Sequence, residues 1–93
     1  MENYQEALEQ FDEGCALYEA GEVREALHLF SQVAEYVTST RAATEVPAGE
    51  LSELATQVAR KLAGYQNCDD EFAWERASAI HYDIFCFRKD SEA

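Results

Sequence analysis

Cys15, Cys68, Cys86, His28 and His81 are the side chains best suited to metal binding or nucleophilic chemistry. A zinc site wants closely spaced ligand pairs, and no two of these cysteines have the CxxC spacing. His81 and Cys86 stand five residues apart, a poor fit to one helix face. A Cys/His nucleophilic pair also needs a third, orienting group and an oxyanion hole, and no motif marks either. No glycine-rich phosphate loop is present. The three thiols, odd in number, read as free, buried structural cysteines in a reducing cytosol rather than as a disulfide framework. No catalytic residue, metal ligand or cofactor is expected, and the chain reads as a binder rather than an enzyme.

Charge is the stronger signal. The 93-residue chain sets 19 Asp and Glu against 7 Lys and Arg, a net −12. Residues 1–25 hold eight acids and one base, Arg24. Glu2, Glu6, Glu9 and Glu13 recur at helical steps, so they share one face. Four like charges on one face repel by roughly a few tenths of a kcal/mol per pair. Such a face is either solvated surface or a dock for Lys and Arg of a partner. The acidic excess repels phosphate backbones and anionic lipid, which argues against direct binding to nucleic acid or membrane surfaces. No stretch approaches the ~18 apolar residues needed to span a bilayer. Met1 to Glu6 lacks the basic and apolar regions of a signal peptide, so a cytoplasmic protein is expected.

These side chains must be positioned by helices. Tyr4, Leu8, Phe11, Cys15 and Tyr18 mark a helix over about Asn3–Ala20, with Asn3 as its cap and Gly21 as its stop. Val23, Ala26, Leu27, Phe30, Val33, Ala34 and Val37 mark a second, over about Glu22–Thr38. The short connection at Gly21 folds the two into an antiparallel hairpin. Residues 39–49 are small and polar, hold the only proline, and read as a loop. Leu51, Leu54, Ala55, Val58, Ala59 and Leu62 mark a third helix, from Pro47 or Glu50 to Leu62. A fourth starts near a cap at Asn67 and carries Phe72, Trp74, Ala77, Ile80, His81, Ile84 and Phe85. Residues 80–87 also alternate at period two, but a lone strand would lack a partner, so helix is expected. The fold expected is all-α: about four helices in two antiparallel hairpins. It forms one domain, with a hairpin at 1–38, a loop at 39–49 and a second hairpin at 50–89.

Residues 11–37, FDEGCALYEAGEVREALHLFSQVAEYV, resemble one tetratricopeptide repeat, a helical hairpin of about 34 residues. Gly14 matches its small residue of close approach, and Leu17 and Tyr18 its closing large residue. Gly21 matches the turn glycine, Ala26 the small residue of the second helix, Phe30 the aromatic and Val33-Ala34 the last small position. Phe11 stands near the usual tryptophan, and Thr38 replaces the usual terminal proline. The second half does not repeat the signature in register. The resemblance implies a partner peptide or helix held in a groove lined by the first helix of each hairpin, as in adaptors and secretion chaperones.

On that basis the expected partner-binding residues are Tyr4, Phe11 and Tyr18, the acidic row Glu2, Glu6, Glu9 and Glu13, and the C-terminal aromatics Trp74, Tyr82 and Phe87. The aromatics of the first and last helices serve equally well as core. The function expected is a small adaptor or chaperone-like binder of another protein, selected by a basic surface. The alternative is an acidic inhibitor that occludes the basic nucleic-acid-binding surface of a target enzyme, of the phage or plasmid anti-defence type. A homodimer joined through the aromatic C-terminus is a third reading.

Overall fold

Gly21 is the only residue with positive φ, at 90°, among the described residues. A computed structural model describes the backbone of residues 3–92 and the side chains of residues 3–86. At Gly21 the amide of Glu22 donates to the carbonyl of Leu17 and that of Gly21 to Tyr18, the two-bond closure of a helix end with a left-handed residue. The first helix, α1 (Tyr4–Glu19), therefore reverses directly into α2 (Val23–Val37). Asn3 caps α1, its side-chain oxygen accepting from the amide of Glu6 at 2.9 Å.

Residues 39–49 are not all loop. A short helix, α3 (Thr40–Glu45), lies inside them. Ser39 caps it, accepting from the amide of Ala42 at 3.2 Å, and its own hydroxyl donates to the carbonyl of Tyr36. Ala42 and Val46 are buried, so the segment is held by the core as well as by its cap. The third long helix is α4 (Ala48–Ala63), preceded by Pro47, as the sequence predicts within a residue or two. It runs on through a 3-10 turn, Gly64–Asn67, which places Tyr65 in the core. The last helix is α5 (Glu71–Glu92), unbroken across 80–87. Its cap is Asp70 rather than Asn67, because Asn67 is consumed by the turn. Asp70 Oδ1 accepts from the amide of Ala73 at 3.3 Å.

Among the described residues the architecture is all-α, four long helices and one short. The hairpins α1–α2 and α4–α5 stack on each other, with α2 packed against α1, α4 and α5. Tyr4 at the start of α1 lies by Glu50 and Glu53 near the start of α4, and Tyr18 at its end packs on Tyr65 just past the end of α4. So α1 runs parallel to α4. Likewise Arg24 meets Asp70 at the starts of α2 and α5, and Ser31, Ala34 and Thr38 face Arg76, Ala79, Ile80 and Asp83 further along. So α2 runs parallel to α5.

The core holds Phe30, Val33 and Val37 of α2, Leu54, Val58 and Leu62 of α4, Ile84 of α5, and Tyr65. Close approach of α1 to α2 depends on Gly14, where a Cβ would stand 2.8 Å from Cε1 of Phe30.

Candidate functional site

The aromatics expected on the binding surface of α1 face inward. Phe11 is buried and packs on Phe30, ring centroids 5.7 Å apart. Tyr18 meets Tyr65 edge-on at 5.2 Å. Tyr4 is half-buried against the core, and burial, reinforced by the carboxylates of Glu50 and Glu53, pushes its phenol up from its ordinary value. The stripe these three occupy is the one that seals α1 onto α2 and α4, so what α1 shows to solvent is its acidic side. Glu6, Glu9 and Glu13 are exposed and, with Gln10, line a shallow depression of about 270 Å³. Glu2 lies outside the described residues.

The acidic row borders a larger groove. Glu13, Leu17, Arg24, Glu25, His28 and Leu29 enclose about 410 Å³ on the outer side of the first hairpin. Leu17 and Leu29 are only half-buried, which leaves an apolar floor between the carboxylates of Glu13 and Glu25. One wall is set by Arg24, whose guanidinium grips Asp70 through Nε and through Nη2 at 3.1 Å and lies 5.2 Å over the ring of Phe72. That pairing holds the Asp70 carboxyl below its ordinary value. Leu29 falls off the main apolar stripe of α2, a signal of its exposure in the sequence.

The opposite side of the stack carries a second groove. Leu62, Ala63, Gln66, Ser78, His81, Tyr82 and Phe85 enclose about 230 Å³ between α4 and α5. Three aromatics run along this side of α5: Trp74, 43% exposed, Tyr82, 66%, and Phe85, 58%. Trp74, Ser78, His81, Tyr82 and Phe85 follow at steps of four, three, one and three, so one helical stripe carries them all. Trp74 and Tyr82 are among the residues expected from the sequence. Phe85 is not, although its spacing from Trp74 and Tyr82 puts it on their stripe. Phe72 is also exposed but stands on another side of α5, beneath Arg24. The side chain of Phe87 lies outside the described residues.

The three cysteines are free and each is half-buried rather than fully buried. Burial pushes the Cys15 thiol up, against the pull of nearby Lys61. A contact with Cys86 raises the Tyr82 phenol. Among the described residues no three of His, Cys, Asp and Glu converge as a metal site, and no helix is long and apolar enough to cross a membrane. The chain matches no family model, no curated protein and no solved structure.

Proposed function

We propose that this chain is a non-enzymatic protein-interaction module of the cytoplasm, an adaptor or chaperone-like binder of a partner peptide or helix. The observation that carries the reading is the groove on the outer side of α1 and α2. Leu17 and Leu29 offer apolar contact, and Glu13, Glu25 and the adjoining Glu6 and Glu9 offer carboxylates. A floor of that kind takes aliphatic side chains, and walls of that kind select Lys and Arg beside them. The partner is thus an amphipathic segment with a basic flank. Tetratricopeptide-like architecture supports the reading: two hairpins stack with like helices parallel, Gly14 permits close approach, and Gly21 makes the turn.

The test is capture from native cell extract on the immobilised chain, with the retained proteins identified by mass spectrometry. A protein held by the wild type and released by Glu13→Lys/Glu25→Lys, at unchanged helical content, supports the groove. Equal retention by both rejects it.

The exposed row Glu6, Glu9 and Glu13 favours a second reading, an acidic inhibitor that covers the basic nucleic-acid-binding surface of an enzyme. Its mark is affinity that collapses with added salt.

A further inference from the structure

We infer that the cavity where α2 passes into α3 is a binding site for a free amino acid of small or polar side chain, its carboxylate taken by Arg41 and Tyr36 and its ammonium by Glu35. Gln32, Glu35, Tyr36, Ser39 and Arg41 enclose about 410 Å³ there. That volume is within the usual range of small-molecule sites. Gln32, Glu35, Tyr36 and Ser39 follow at steps of three, one and three, so one side of the chain leaving α2 supplies four of the walls. Arg41 comes from α3. None of the five lines the groove of Leu17 and Leu29, so the site is separate from the surface proposed above.

Two unpartnered atoms point to a ligand. Among the described residues, Gln10 Oε1 and the Tyr36 hydroxyl are the buried side-chain oxygens without a hydrogen-bond partner. Both belong to this neighbourhood. Tyr36 lines the cavity, and the Gln10 amide donates to Gln32, which lines it too. Tyr36 is 5% exposed, so its hydroxyl is shut off from water yet bonded to nothing in the chain. A buried polar atom in that state costs stability unless something outside the chain completes it. Burial pushes the phenol up, Glu45 adds to the rise and Arg41 opposes it. The hydroxyl therefore keeps its proton as a donor, and it lies within reach of the charge of Arg41.

The charges choose the class of ligand. Arg41 touches Glu45 through Nε alone, at 3.4 Å, with both side chains about half exposed, and its Nη groups have no partner among the described residues. A guanidinium fork beside a phenol donor is complementary to a carboxylate. A bare anion is disfavoured, because Glu35 and Glu45 stand near and the chain carries −12. A ligand that brings its own cation removes that penalty. Glu35 lines the same cavity and makes no ion pair, with Arg41 or any other described residue, which leaves its carboxylate to take an ammonium. One carboxylate and one ammonium on a single carbon is the α-amino acid zwitterion. The remaining walls, Gln32 and Ser39, are polar, so the side chain they admit is small or polar.

Amide NMR spectra of the isotope-labelled full chain, titrated with glycine, L-serine and L-glutamine to about 20 mM, test this; that limit exceeds the millimolar dissociation constants that partly exposed charge pairs give. At least one of the three should shift the Tyr36, Ser39 and Arg41 amides saturably. Acetate and ethylammonium, which keep one charge each, should bind at least about tenfold more weakly. Tyr36→Phe should weaken the amino acid about tenfold, the loss of one hydrogen bond to a charged group. The same variant, ligand-free, should melt no lower than the wild type, since its hydroxyl bonds nothing in the chain. Arg41→Gln should abolish the shifts with the helical spectrum unchanged. No saturable shift with any of the three amino acids overturns the inference. So does acetate that binds as tightly as they do, or an affinity untouched by Tyr36→Phe. A ligand-free Tyr36→Phe that melts lower assigns the hydroxyl to an internal water and overturns it too. None of these results bears on the groove of α1 and α2.

Discussion

The hydroxyl of Tyr65 donates to the carbonyl of Val23 at 2.7 Å, tying the joint between α4 and α5 to the first residue of α2. The Tyr65 ring is fully buried, and burial holds its phenol well above its ordinary value. Tyr65→Phe keeps the ring and removes the bond, and should cost about 1 kcal/mol of stability. Tyr65→Ala also opens a cavity and should cost ~3–5 kcal/mol. Urea midpoints measure both, and a Phe variant as stable as the wild type would show that the bond contributes nothing net.

Gly14 and Gly49 predict opposite signs for one substitution. A Cβ at Gly14 meets Phe30 at 2.8 Å, whereas at Gly49 nothing lies within 4 Å. Gly14→Ala should destabilise by ~1–3 kcal/mol through overpacking. Gly49→Ala, in the first turn of α4, should stabilise by ~0.4–1 kcal/mol by restricting the unfolded chain. Phe30→Ala should cost ~3–5 kcal/mol, since the ring fills the space between the helices of the first hairpin. Thermal melts that rank the two alanine variants alike would reject the close approach at Gly14.

Much of this was legible from local pattern. The stripes of α1, α2 and α4, the cap at Asn3 and the reversal at Gly21 are each set by residues within a few positions of one another. What escaped depends on distant neighbours. Ser39 looks like one more polar loop residue until Ala42 and Val46 are seen to reach the core. Asn67 and Asp70 are equally good caps by type, and the burial of Tyr65 chooses between them. Tyr4, Phe11 and Tyr18 fit core or groove alike, because a helical wheel does not say which side the next hairpin covers. The same gap hid Phe85. Glu2 and the side chain of Phe87, both expected at the surface, fall outside the described residues.

The ion pair of Arg24 and Asp70 gives a signed dependence on acid. The hydrogen bond from Arg24 is the largest influence lowering the Asp70 carboxyl; desolvation opposes it, and the amide of Ala73 adds to the lowering. A carboxyl lowered by folding stabilises at pH above its unfolded value of ~3.9 and loses that contribution as pH falls through the folded value. The Arg24 side chain is 66% exposed, so solvent screens the pair and the effect is small. The stability gap between wild type and Asp70→Asn should therefore narrow from pH ~6 to ~2.5. Urea midpoints at several pH values give the gap, and one that stays constant would separate the pair from acid sensitivity.

Salt tells the two functional readings apart. Replacing Glu6, Glu9 and Glu13 with Gln should weaken capture of a basic partner without unfolding the chain. Affinity resting on the Leu17 and Leu29 floor should fall only modestly between ~0.05 and ~0.5 M salt, whereas a mimic of nucleic acid should lose most of its affinity there. Capture repeated at both salt concentrations decides the matter, and indifference to the Gln substitutions would leave the row as solvated surface.

Among the long helices α2 packs against each of the others and most extensively against α1, with Phe30, Val33 and Val37 sealed from water. Opening of a protein proceeds piecemeal, from weakly covered segments inward. Its peptide hydrogens should therefore be the last to trade places with deuterium, with α1 and the far side of α5 loosening first. The chain is built around an inner spine, and whichever hairpin lifts away, it is this rod that water reaches next.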